Sequence, residues 1–185
     1  MLTIDSTYFW GTLTLHFADF SAPDGSEGLA AAVATTTRQK EVDLYISKYE
    51  RKACELIMGK GIADEYLKWK GSTEEEPYKG DIPTSVLEAL DATLIDTESK
   101  TSPIANYIWL IVTEDTINTE TARGAVVEKI GEGKRVSNST KAVRVWNEFV
   151  EETIKVREFI HETEELDEIK TRPERLTFAN RFWIS

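Results

Sequence analysis

The sequence predicts a mainly α fold: a helical bundle of roughly four to five helices, with a protruding β-hairpin and extended aromatic N- and C-terminal arms. Three observations carry this expectation. Apolar residues recur at spacings of three and four through most of the middle of the chain. Residues 124–136 instead alternate and turn on glycines. Both ends, YFWGTLTLHF and LTFANRFWIS, are aromatic and strand-like. The expected organisation is an N-terminal arm and loop over 1–36, a bundle core over 37–170 containing the hairpin, and a C-terminal arm over 171–185.

Tyr8 to Phe17 reads as a strand or an extended arm, and Ala18 to Gly28 has loop chemistry, with Pro, Gly, Ser and Asp. LAAAVATTT suits a poor helix or a continuation of the arm. Val42, Tyr45, Ile46, Tyr49, Ala53, Leu56 and Ile57 then form a one-faced stripe that Gly59 stops. Ile62 to Trp69 resumes as a short helix ending at Gly71. GSTEEEPYKGD is a polar loop, and Pro83 fits the first turn of a helix carrying Val86, Leu87, Leu90 and Leu94.

Ser102 can cap the next helix, with Pro103 in its first turn. Its body, IANYIWLIV, is apolar nearly all round, which places it at the centre of a bundle. Asp115 to Thr121 reads as a polar connection, followed by AVVEKI–GEG–KRV as the hairpin. Ser137 or Asn138 caps the last long helix, whose stripe is Ala142, Val143, Trp146, Phe149, Val150, Thr153, Arg157 and Ile160. HETEELDEIK is expected to continue that helix on a solvated face.

A chain of 185 residues with 41% hydrophobic and 30% charged residues can bury one core. Its net charge of -11 argues against broad duplex binding, which needs cations to displace counterions. An acidic wall that repels DNA remains compatible with DNA passing close by. The start lacks a basic region and a continuous apolar run, and the apolar runs are too short for a bilayer span. A soluble, unexported protein without membrane contact is expected. The single cysteine, Cys54, permits no disulfide within the chain.

No constellation supports catalysis, a cofactor or a metal. The Gly131–Gly133 turn lacks the Lys-Ser/Thr and the strand-to-helix setting of a phosphate loop, so a hairpin turn explains it better. His16 and His161 stand far apart, and with one cysteine they make no recognisable ligand set. Cys54 lies beside an apolar stripe and reads as a packed thiol. The Glu74–Glu76 run and the Glu162–Glu168 cluster read as solvated faces, since catalytic carboxylates need burial to separate their pKa values. Trp146 has the chemistry of a stacking platform, but its place beside Phe149 and Val150 favours the core.

The candidate functional residues are therefore interaction residues. They are Tyr8, Phe9 and Trp10 in the first arm, Val126, Ile130, Lys134 and Arg135 in the hairpin, and Phe178, Phe182 and Trp183 in the last arm. Free aromatic arms are a solubility liability, so they pair with each other or dock on a neighbour. Lys134 and Arg135 either meet an acidic partner or form an ordinary charged strand end.

KTSPIANYIWL (Lys100 to Leu110), the Gly124 to Ser137 ribbon and KAVRVWNEFV (Lys141 to Val150) occur in a familiar order. The stretch from Lys100 to about Ile160 resembles small virion proteins of Bacteroidetes phages and prophages, including crAss-like phages. These are head–tail connector or ring proteins, adaptors that stack below the portal. The Ser-Pro-Ile-Ala helix start and the Val-Trp-Asn-Glu helix are the most specific pieces, and the motifs cover about a third of the chain. The region before Thr37 lies outside the resemblance.

The resemblance implies a virion protein, made in the bacterial host cytoplasm. It implies a bundle with a hairpin, assembled on itself as a ring, twelve-fold like the portal. Its partners would be further copies (a dodecamer), the portal protein and neighbouring tail or ring proteins, with DNA passing by without specific binding. Three rivals stand beside this reading: a tail completion or stopper protein, hexameric in symmetry; a regulatory module outside the virion that docks a helical peptide; and an enzyme.

Overall fold

The structure, a computed structural model, describes residues 3–9, 13, 27–122, 138–167, 169 and 175–178, with the backbone alone described over 27–39, 115–122 and 138–139. It is mainly α. A short 3-10 helix spans Ser6–Phe9, and α-helices follow over Glu27–Met58 (α1), Lys60–Gly71 (α2), Thr84–Leu94 (α3), Pro103–Ala122 (α4), Asn138–Glu162 (α5) and Glu164–Asp167 (α6). Among the described residues there is no strand, only an isolated antiparallel bridge between Asp96 and Thr101. The expected hairpin over 124–136 lies outside the described residues.

Helix α1 buries Val42, Ile46, Ala53, Cys54, Ile57 and Met58, with Tyr45, Tyr49 and Leu56 half-buried at the edges of that face. It starts at Glu27, so LAAAVATTT is helical and the boundary expected at 36 falls inside the helix. Gly59 separates α1 from α2. Its φ of 84° is a left-handed value that a side chain resists. The same residue closes one helix and opens the next: its N–H donates to Glu55 O at 2.9 Å, and its carbonyl accepts from Ala63 N at 3.0 Å.

Pro83 is the N-cap of α3 rather than a member of its first turn. Ile82 before the cap and Leu87 in the helix, the two positions of a hydrophobic staple, are both buried. Leu87, Leu90 and Leu94 make the buried face.

Ser102 caps α4 as expected. Its Oγ accepts from Ile104 N at 3.2 Å, and its carbonyl accepts from Asn106 N at 3.1 Å. Ile104, Ala105, Tyr107, Ile108, Trp109 and Val112 are buried around the helix, which packs on both α1 and α5. The helix is therefore the centre of the bundle. It also runs on to Ala122, so the expected polar connection from Asp115 is the last part of α4.

Helix α5 returns antiparallel to α4: Asn106 meets Glu152, and Tyr107 meets Phe149. The centre of its buried face is Val145, Phe149, Val150, Thr153 and Val156; Ala142, Trp146 and Ile160 flank it, half-buried. The chain then breaks at Thr163, whose Oγ1 donates to Phe159 O at 2.8 Å and whose carbonyl accepts from Leu166 N and Asp167 N, each at 3.0 Å. The expected uninterrupted acidic helix is thus a separate turn, α6, and it exists to bury Leu166.

Candidate interaction surfaces

Tyr8 and Phe9 are not part of a free arm. Asp5 Oδ1 accepts from Thr7 N at 2.8 Å and from Thr7 Oγ1 at 2.5 Å, a local turn that starts the 3-10 helix. The helix directs Tyr8 and Phe9 inward, where each is only 5% exposed, and Leu13 is buried beyond them. Glu50, itself buried on α1, accepts the Thr3 N–H. Lys100 Nζ lies 5.1 Å from the centroid of the Tyr8 ring. Lys100 reaches it from a tight turn, where it holds a left-handed φ of 55°. Tyr8 and Phe9 therefore belong to the core of their own chain, which corrects the expectation of an extended strand. Trp10 lies outside the described residues.

The C-terminal segment behaves differently. Residues 175–178 have no regular structure and lie on α5. The indole Nε1–H of Trp146 donates to the carbonyl of Thr177 at 2.9 Å. Leu176 packs against the core, while Phe178 is 55% exposed. Trp146 itself stacks at a tilt on Phe149, centroids 5.4 Å apart, and Phe149 in turn meets Tyr107 at 5.8 Å. The aromatic series thus runs from the core to the surface, and a backbone carbonyl of the tail terminates it. Trp146, expected in the core, is a half-buried residue at the edge of the core with its polar atom used.

Phe182 and Trp183, and the hairpin residues Val126, Ile130, Lys134 and Arg135, lie outside the described residues. Among the described residues the other exposed large hydrophobics are Leu44 on α1 and Ile154 on α5.

Three polar sites were not legible as sites. Arg157 donates from Nε to Ile57 O at 2.9 Å and from Nη2 to Leu56 O at 2.7 Å, covering carbonyls at the end of α1. Tyr66 OH donates to Asp91 Oδ1 at 2.5 Å, and Lys70 Nζ lies 2.8 Å from the same carboxylate, which ties α2 to α3. Asn106 Nδ2 donates to Glu152 Oε2 at 2.9 Å between α4 and α5. The available signals were a charge on an apolar stripe for Arg157 and an amide within an apolar run for Asn106.

Burial pushes the Cys54 thiol and the Tyr66 phenol well above their ordinary values. Tyr78, whose OH donates to Glu65 Oε2 at 2.7 Å, is pushed up to about 12, first by burial and then by that hydrogen bond. It lines an open cleft of about 480 Å³ with Lys68, Ser72, Glu76 and Lys79. Among the described residues no group of three or more His, Cys, Asp or Glu is placed to hold a metal ion, and no helix is long and apolar enough to cross a membrane.

Glu152 titrates in the neutral range. Burial first, and then the charge of Glu148, raise its carboxyl to about 7; Lys155 and the Asn106 hydrogen bond pull the other way. The folded chain therefore holds this proton more tightly than the unfolded chain, whose value is near the ordinary 4.5. Its contribution to stability is fully present below pH 4.5 and is lost as pH rises towards 7. Glu152→Gln keeps an acceptor for Asn106 and removes the titration. We expect it to stabilise the protein by about 1–2 kcal/mol at pH 8 and to change little at pH 4.5. Urea denaturation of both proteins across that range is the check; parallel pH profiles would remove Glu152 as the titrating group.

No family model matches the chain, and neither the curated proteins nor the solved structures contain a match to it.

Proposed function

We propose that this chain is a structural virion protein that assembles as a ring in a phage head–tail connector, next to the portal. The observation that carries the reading is where the resembling residues fall. Lys100 to Leu110 leads into and builds the first half of α4, and Lys141 to Val150 lies on α5. These two helices form the most extensively packed pair in the bundle, joined by the Asn106–Glu152 and Tyr107–Phe149 contacts. The most specific motifs of the resemblance thus coincide with the packed centre of the fold.

On this reading the α4–α5 pair is a platform. Residues 124–136 form a hairpin between the two helices and reach an adjacent subunit or ring, with Val126, Ile130, Lys134 and Arg135 as contacts. The C-terminal arm, with Phe178, Phe182 and Trp183, supplies the second contact, while Tyr8 and Phe9 are already used in the core. The ring is twelve-fold, to match a portal, and is built from this chain alone. DNA passes through it, and the net charge of -11 keeps the duplex from adhering to the wall. The protein works in the virion and holds no cofactor.

Light scattering on the purified chain tests the assembly step. We expect a discrete, concentration-dependent species many subunits in size. A monomer that persists at high concentration, with the portal protein present, would overturn the reading.

A further inference from the structure

We infer that residues 72–81 form a flap over the C-terminal half of α2, that the carboxylate of Glu65 is its latch, and that protonation of this one group releases the flap while the bundle stays folded. The inference stands on contacts within one chain and is independent of the ring.

The flap is fixed at both ends and at one point between them. It leaves α2 at Ser72, whose N–H and Oγ both donate to Trp69 O, at 3.1 and 2.6 Å, and it re-enters the core at Ile82, which is buried. Its tip is closed on itself: Thr73 N donates to Glu76 O and Glu76 N to Thr73 Oγ1, each at 3.1 Å. From Thr73 to Asp81 the one side chain that is not exposed is Tyr78. Its hydroxyl donates to Glu65 Oε2 at 2.7 Å, and the backbone of Asp81 adds a second donor from the flap. Gly80 lies so close over the carboxylate that a Cβ there would run into Glu65 Oε2 and the Tyr78 hydroxyl. A surface loop with fixed ends and one interior anchor opens locally when the anchor goes.

The latch works in its ionised form. Lys68, with Nζ 2.6 Å from Glu65 Oε1, and then the Tyr78 hydroxyl hold the carboxyl below its ordinary 4.5. The charges that α1 and α3 bring to α2 are taken by other residues: Arg51 pairs with Asp64, and Asp91 with Lys70. The contribution of Glu65 is therefore present above pH 4.5 and is lost as pH falls through the lower folded value. Glu152 runs the other way, its contribution being fully present below pH 4.5, so acid loosens the flap and firms the α4–α5 contact. Release also changes the cleft of about 480 Å³ beside the flap, because Lys68 and Tyr78, two of its lining residues, lose their shared partner.

Hydrogen exchange of the full-length protein, read on peptides across residues 72–82 and corrected for the intrinsic effect of pH, tests the latch. Between about pH 6 and about pH 3 we expect flap exchange in the wild type to rise at least about tenfold, the loss of one charge-assisted hydrogen bond, while peptides of α4 and α5 keep their protection. Glu65→Gln keeps one acceptor where the carboxylate has two and carries no charge. Its flap should be open already at about pH 6 and should lose the pH dependence. Gly80→Ala leaves every charge in place but pushes the carboxylate off the Tyr78 hydroxyl, so it too should speed flap exchange at about pH 6. Equal flap exchange in the wild type and Glu65→Gln at that pH would overturn the latch. Flap and bundle peptides that lose protection together as pH falls would show global unfolding and overturn local release.

Discussion

Phe149→Ala should lower the stability of the protein by about 3–5 kcal/mol, the usual cost of truncating a large buried aromatic. Phe149 is fully buried and stands between two other rings, Tyr107 on α4 and Trp146 on α5. Removing it opens a cavity on the α4–α5 contact that its neighbours cannot fill without moving the helices apart. Trp146→Ala should cost less, about 1–2 kcal/mol, because the indole is only partly buried at the edge of the core and a single hydrogen bond is lost. Urea unfolding of the two variants gives the ranking directly. Equal losses would mean that Trp146 is as deep as Phe149; a loss below about 1 kcal/mol for Phe149→Ala would contradict the packing of the bundle centre.

Arg157→Met should destabilise the protein by about 2–3 kcal/mol although it keeps most of the side-chain length. The guanidinium serves two carbonyls, Leu56 O and Ile57 O, at the point where Gly59 ends α1. Those acceptors have no following turn of the same helix to satisfy them. A cation also opposes the negative end of the helix dipole there. Arg157→Lys should recover less than half of the loss, because an ammonium cannot present two fixed donors along one plane. Thermal unfolding with far-ultraviolet circular dichroism is the measurement. If the methionine variant unfolds with the wild type, the Arg157 bonds to α1 do not contribute.

The parts of the fold that were legible in the sequence are those where burial and local chemistry agree. Ser102 and Pro103 announce α4, and the apolar residues around it announce its central position; both appear in the structure. Gly59 breaks the α1 stripe where the stripe says it should. The misreadings occur where one signal hid another. Tyr8 and Phe9 look like the start of a strand from their aromatics, but Asp5 upstream binds the Thr7 backbone and the two residues close a 3-10 turn; the rest of YFWGTLTLHF, Leu13 apart, lies outside the described residues. LAAAVATTT and the residues from Asp115 carry no apolar stripe, so periodicity left the first open between helix and arm and read the second as a connection; both are helical.

The polar contacts were hidden for a different reason. Arg157 sat on an apolar stripe and Asn106 inside an apolar run, and each position implies a buried partner. Which partner depends on how α1, α4 and α5 pack, and that lies beyond any local pattern. The tail carbonyl at Trp146 is the extreme case, because a backbone acceptor has no sequence signature at all.

Electron microscopy of the purified protein, alone and mixed with its cognate portal protein, tests the ring directly. The account predicts closed rings with a central opening wide enough for duplex DNA, twelve-fold in projection and stacked coaxially on the portal. Isolated subunits in both samples, or a closed particle without a central channel, would contradict it.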